Sequence, residues 1–124
     1  MAPAIYGGFT VSYMNGSSAH SLRLLPAKPL KFIAVVPGSK LPTVLARQAI
    51  PQTVSHHDAV FNASRSALLV GALMSGQYEY ISEALEDKLH QPYRAHLIPG
   101  LYDVFAAAKE AGAYNAIISG AGST

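Results

Sequence analysis

Asp58, Asn62 and Arg65 are separated by four and three residues, a spacing that gathers all three within about 60° on one face of a helix. Phe61 and Leu69 stand four residues to either side of Arg65, so its guanidinium leaves a mostly apolar stretch and needs an anion beside it. Two sources are open: an internal carboxylate such as Asp58 or Asp87, or a ligand. A second arginine closes His90-Gln91-Pro92-Tyr93-Arg94, which is followed by Leu97-Ile98-Pro99-Gly100. Two prolines should stiffen this connection. The planar fork of Arg94 matches two oxygens of a carboxylate or phosphate at once, which a lysine cannot do; the plainer alternative is an arginine exposed on a surface loop. The third set is Ser119-Gly120-Ala121-Gly122-Ser123-Thr124, reached directly from the apolar run Ala116-Ile117-Ile118. Glycines placed this way let backbone N–H groups approach an anion.

Other candidates fail on context. His90 and His96 lie six residues apart with no cysteine or paired carboxylates at ligand spacing, and His56-His57 are no better placed, so no metal site is expected from them. Gly16-Ser17-Ser18-Ala19 looks like the core of a phosphate loop, but a strand-like segment follows it where such a loop needs a helix. Nine Lys and Arg against seven Asp and Glu are scattered singly, which argues against nucleic acid as a partner. The chain has no cysteine, hence no disulfide framework. It shows neither a basic leader nor the ~20 apolar residues of a membrane span, and a cytoplasmic protein without membrane contact is expected. Charged residues are 13% of the chain and apolar ones 50%, against roughly 25% charged in ordinary soluble domains. Some apolar surface should therefore be covered, by a partner chain in a homo-oligomer or by further protein outside these residues.

The elements that must position these residues follow from periodicity. Alternation over Ile5 to Met14 predicts a strand, with a bulge at Gly7-Gly8, and Ser21 to Leu25 returns after the turn at residues 15–18. Lys31 to Val36 is a branched apolar run expected to be a strand covered on both faces. Pro42 opens a short helix closed by Pro51. Ser55 with Asp58 forms a capping box for a buried helix running to about Met74 and ending at Gly76. A third helix over Tyr78 to Leu89 buries Tyr78, Ile81, Leu85 and Leu89. Residues 92–100 should be an extended connection, followed by a helix from Leu101 that stops at Gly112 and a strand over Ala113 to Ile118. Strands flanking a block of helices predict an α+β protein.

Taken together, the Ala2-Pro3-Ala4-Ile5-Tyr6-Gly7-Gly8-Phe9 opening, Asp58 to Arg65, His90 to Arg94 with Leu97 to Gly100, and Ser119 to Gly122 resemble the homoserine kinases of the GHMP kinase superfamily in order and spacing. The resemblance implies a ferredoxin-like arrangement, with helices packed on a mostly antiparallel sheet. It divides the chain into strands at 1–37 and a substrate-binding domain at 38–124. It implies transfer of the ATP γ-phosphoryl group to the hydroxyl of L-homoserine in threonine biosynthesis, with Mg²⁺ required. Arg65 and Arg94 would serve catalysis and, with Asn62, Gly120, Ala121, Gly122 and Ser123, bind the substrate; Asn62 would orient Arg65.

The family's phosphate loop and magnesium-binding carboxylate have no counterpart in these 124 residues. The resemblance thus leads to the expectation of a chain incomplete at both ends, with ATP and Mg²⁺ bound mainly by an N-terminal half and little kinase activity in isolation. A binding module that recognises a small amino acid without catalysis, and a purely structural self-associating domain, are the alternatives.

Overall fold

The structure, a computed structural model, describes residues 2–38 and 41–122. Its longest element is a helix, His56–Ser75. In chain order the elements are α1 (Ala2–Tyr6), β1 (Phe9–Asn15), β2 (Ser18–Leu24), α2 (Thr43–Gln48), α3 (His56–Ser75), α4 (Ile81–Ala84), α5 (Gln91–Arg94) and α6 (Leu101–Glu110), with single 3₁₀ turns at Tyr78–Tyr80 and Ala95–Leu97. The class is α+β, as the sequence predicts.

Both ends of α3 are set by the residues anticipated for them. Ser55 Oγ accepts the Asp58 N–H at 3.0 Å and donates to Asp58 Oδ2 at 2.7 Å, a reciprocal cap that satisfies one orphan donor. At the other end Gly76 takes φ +75° and donates its N–H to the Ala72 carbonyl, a left-handed close that disfavours a side chain. A Cβ on Gly76 would also stand 3.0 Å from Lys28 Cε.

The core lies at this C-terminal end. Ala72, Leu73, Tyr78 and Ile81 are buried together, with Phe9, Leu30, Leu69 and Leu85 packed around them. Polar groups fasten the 25–30 linker to the same place. The Ala27 N–H donates to the Leu73 carbonyl at 2.8 Å, the Lys28 ammonium donates to the Gly76 carbonyl at 2.7 Å, and the Tyr78 hydroxyl both accepts the Lys28 N–H and donates to its carbonyl.

The β1–β2 pair is an antiparallel hairpin in register from Phe9↔Leu24 to Asn15↔Ser18. Gly16, at φ +59°, occupies the first central position of its two-residue turn, where glycine is favoured. The second strand starts at Ser18, three residues earlier than its alternation suggests, because the tight turn lets pairing begin at once. Ile5 and Tyr6, expected to open the first strand, belong instead to the helix α1. An Ala-Pro-Ala opening suits a first helical turn, and Gly7 and Gly8, both at positive φ, separate it from β1.

Two further expected strands are absent as such. Residues 31–36 are extended but form no ladder, and Phe32 and Ile33 are 86% and 88% exposed; the branched run has its local preference but no pairing partner among the described residues. Residues 113–118 are likewise unpaired. The third expected helix is broken as well. It yields a 3₁₀ turn and α4, then stops at Leu85, and residues 92–97, part of the connection expected to be extended, are helical turns.

The reciprocal cap sets the start of the one long helix. Ser55→Ala is expected to lower stability by about 1 kcal/mol, measured as a shift of the urea midpoint at constant slope.

Candidate functional site

The third helix breaks because side chains capture the backbone donors that would continue it. Asp87 Oδ1 accepts the Leu89 N–H at 3.0 Å, and Oδ2 accepts the His90 N–H at 2.9 Å and the Gln91 N–H. Asn62 on α3 completes the arrangement, donating its amide to Asp87 Oδ1 at 2.6 Å and accepting the Lys88 N–H at 2.9 Å. A short polar side chain that offers backbone donors an alternative partner ends one helix and caps the next. Here the next is α5, with Pro92 in its first turn, where a missing N–H costs nothing. Asn62, expected to orient Arg65, instead gives its side chain to Asp87 and Lys88, and no hydrogen bond joins it to that arginine among the described residues.

Arg65 leaves α3 nearly one turn beyond Asn62 and bonds Glu86. Its Nε and Nη2 both donate to Glu86 Oε2, at 3.2 and 3.0 Å. Neither Asp58 nor Asp87, the carboxylates weighed from the sequence, is the partner. The Arg65 guanidinium also lies 4.4 Å from the centre of the Phe61 ring, and the Lys88 ammonium is at the same distance from that ring, so one aromatic face system is shared by two cations. Asn62, Arg65, Leu69, Glu86, Asp87 and His90 line an open cleft of about 210 Å³.

Arg94 is neither exposed nor in that cleft. It is 6% exposed, and α5 aims it inward between three segments. Nε donates to the Ala46 carbonyl of α2 at 2.7 Å, and Nη1 donates to the Gly120 carbonyl at 2.9 Å and to His90 Nε2. An arginine only donates, so His90 accepts through Nε2. No carboxylate lies within 4 Å of Arg94 among the described residues. Because His90 also lines the cleft, it is the residue through which Arg94 reaches it.

The glycine-rich segment meets Arg94 through a carbonyl rather than an N–H. Gly120 sits at φ +57° and Gly122 at φ +91°, and the Gly122 N–H closes a turn on the Ser119 carbonyl at 3.1 Å. A Cβ on Gly122 would come within 3.1 Å of Ile98 Cδ1 and 3.2 Å of Leu41 Cδ2, so a side chain there would crowd both in addition to the strain of its positive φ. Ala121 is half-buried, and Ser123 lies outside the described residues. Gln91 holds the preceding segment, its Oε1 accepting the Ile118 N–H at 2.9 Å. Asp87, Gln91 and His90 were not singled out as site residues from the sequence. Their one signal is an aspartate four residues ahead of Gln91-Pro92, a spacing that fits a cap followed by a proline in the first turn.

Against this geometry the comparisons are specific. The family model described as GHMP kinases C terminal matches residues 64–124. The homoserine kinase of Thermus thermophilus is 44% identical over all 124 residues, which cover 42% of that protein, and that of Gloeobacter violaceus is 48% identical over 98% of this chain and 40% of its own length. Residues 64–124 thus form a GHMP kinase C-terminal domain. The crystal structure of homoserine kinase from Cytophaga hutchinsonii superposes with a TM-score of 0.82 at 29% identity, covering 98% of this chain and 38% of that one. The chain thus spans about two fifths of the length of the homoserine kinases it matches.

The resemblance to kinases makes ATP with Mg²⁺ the expected cofactor. The described residues do not fit ATP with Mg²⁺, however. No group of three or more Asp, Glu or His side chains converges among them, and the carboxylates nearest the cleft are engaged by Asn62, backbone N–H groups and Arg65. No helix among the described residues is long and apolar enough to cross a membrane.

Burial pushes the Asp87 carboxyl up, but the hydrogen bonds from Gln91, Asn62, Leu89 and His90 outweigh it and leave its pKa below the ordinary 3.8. A carboxyl depressed on folding contributes stability above its unfolded value, and that contribution is lost as pH falls through the lower folded value. Asp87→Asn is accordingly expected to cost about 2 kcal/mol near pH 7, a gap from wild type that narrows as pH drops below 3.8. Thermal melts at stepped pH measure it, and a gap constant with pH would contradict the assignment.

Proposed function

We propose that these residues form the acceptor side of a homoserine kinase. The reaction is attack of the L-homoserine hydroxyl oxygen on the γ-phosphorus of ATP, breaking the bond to the β-phosphate oxygen and giving O-phospho-L-homoserine and ADP as the hydroxyl proton departs. Similarity to homoserine kinases over the whole chain carries this reading, and it sets the non-catalytic binding module aside.

The two arginines divide the work. Arg65, partly buried in a small open cleft, grips the substrate carboxylate. The cleft volume lies below the roughly 300–1,000 Å³ of sites for larger ligands, in keeping with a small amino acid. Arg94, bonded to the Ala46 and Gly120 carbonyls and to His90, positions His90 and the 119–122 turn beside it and adds a fixed positive charge to that side of the site. Phosphoryl transfer depends mainly on positioning and charge stabilisation, which such groups supply without acting as a base. ATP and Mg²⁺ are held by parts of the enzyme other than these residues, and the work is done in the cytoplasm.

Titration of the 124-residue chain with L-homoserine and with Mg·ATP separately is expected to show homoserine binding, no ATP binding, and no phosphorylation when both are present. Arg65→Lys should weaken homoserine about tenfold through loss of the fork. Equal homoserine affinity in that variant would remove Arg65 from the site, and ADP release by the chain alone would overturn the division of labour.

A further inference from the structure

The Arg65–Glu86 pair is built from unequal partners. Glu86 uses one oxygen, Oε2, for both bonds, leaving Oε1 outside the pair, and its side chain is 49% exposed. Arg65 is only 27% exposed and rests on the Phe61 ring. Glu86 can therefore swing into solvent at little cost, whereas Arg65 is kept in place by stacking even when unpaired. Lys88, on the same ring, keeps its own carboxylate, with Asp58 Oδ1 3.7 Å from its ammonium, so Arg65 alone would be left without an anionic partner. The Asp87 and Asp58 carboxylates do not fill that gap, since Asp87 is committed to backbone N–H groups and Asp58 to Ser55 and Lys88.

We infer that Glu86 is a placeholder: its carboxylate occupies Arg65 in the empty site and is displaced when a substrate carboxylate takes the same two N–H donors. The inference deepens the preceding one and rests on Arg65 being the carboxylate grip. Glu86 is a positioning residue in this scheme, touching Arg65 rather than the substrate. It sets a threshold for carboxylate affinity and keeps an otherwise unpaired guanidinium from recruiting other anions.

An exposed pair of this kind is worth up to about 1 kcal/mol, so removing the competitor should tighten carboxylate binding about two- to five-fold. The test follows the Arg65 Nε–H resonance of the 124-residue chain during titration with L-homoserine and, separately, with propionate. Wild type is compared with Glu86→Gln, Glu86→Asp and Glu83→Gln; the last removes the same charge from a residue on α4 that bonds neither arginine. Tighter binding of both ligands by Glu86→Gln alone, with Glu86→Asp close to wild type, is the expected result. Unchanged or weaker binding by Glu86→Gln overturns it, as does equal tightening by Glu83→Gln, which would reduce the effect to net charge. If propionate tightens but homoserine binds no better than propionate, the placeholder stands and the homoserine reading falls. If neither ligand moves the Arg65 resonance in any of the proteins, both fall.

Discussion

The carboxylate of Asp87 is the constraint on which both arginines depend. It accepts four hydrogen bonds, three from consecutive backbone N–H groups and one from Asn62, and so uses most of the lone-pair capacity of an ionised carboxylate. Those three N–H groups lead into α5, the last of them at its first residue, so the same interaction that halts one helix fixes the origin and direction of the next. Four residues is about one helical turn, and Arg94, four beyond His90, consequently points back under it. Through Asn62 the carboxylate also locks the 85–90 segment to α3 within one turn of Arg65. The two arginines are 29 positions apart in sequence, yet one side chain sets where each of them stands.

Identical chemistry is put to two uses by burial. Moving a guanidinium out of water is expensive unless its donors are matched. Arg94 meets that requirement with two backbone carbonyls and an imidazole nitrogen, none of which carries a full negative charge. Carbonyl dipoles solvate the cation without neutralising it, so α2, α5 and the 119–122 turn are held together while the positive charge persists among them. Arg65 keeps a charged partner that is itself half in water. A partner of that kind is exchangeable, and a buried one would not be. Burial, more than residue type, separates the arginine that holds three segments together from the one whose partner can be exchanged.

The same distinction explains what could be read in the residues beforehand. Local rules sufficed for α3: Ser55, Asp58 and Gly76 act within their own turns, and the structure places its ends there. The hairpin was legible because Gly16 acts locally too. Burial of Arg94 was not, since proline-framed segments are ordinarily loops and nothing in the 90–100 stretch announces the Ala46 and Gly120 carbonyls waiting 48 and 26 residues away. The break at Leu85 was hidden for a related reason. The apolar spacing of Tyr78, Ile81, Leu85 and Leu89 continues through it, and only a side-chain competitor for backbone N–H groups, anchored from another helix, overrides that period. Arg65 was placed on the right face, but its partner was misjudged because Asp58 and Asp87 already had donors closer at hand.

Strand-like segments without a ladder show how far side chains can replace one. In residues 113–118 the Ile118 N–H goes to Gln91 and the Ala116 N–H to the Asn115 side chain, whose amide donates in turn to the Ser82 carbonyl. These bonds hold an extended segment against α4 and α5 and deliver its end, Ser119–Gly122, to Arg94. Residues 31–36 have no such substitutes: no hydrogen bond among the described residues involves their backbone, and their branched side chains face solvent. Backbone groups in water lose little by remaining unpaired, but exposed Phe32, Ile33 and Val36 forgo roughly 1.5–3 kcal/mol each of burial. One extended segment is thus fixed because the site needs its far end, and the other contributes little to the core at Ala72, Leu73, Tyr78 and Ile81. Order in this chain follows the connections to Asp87 and Arg94 more closely than it follows β-propensity.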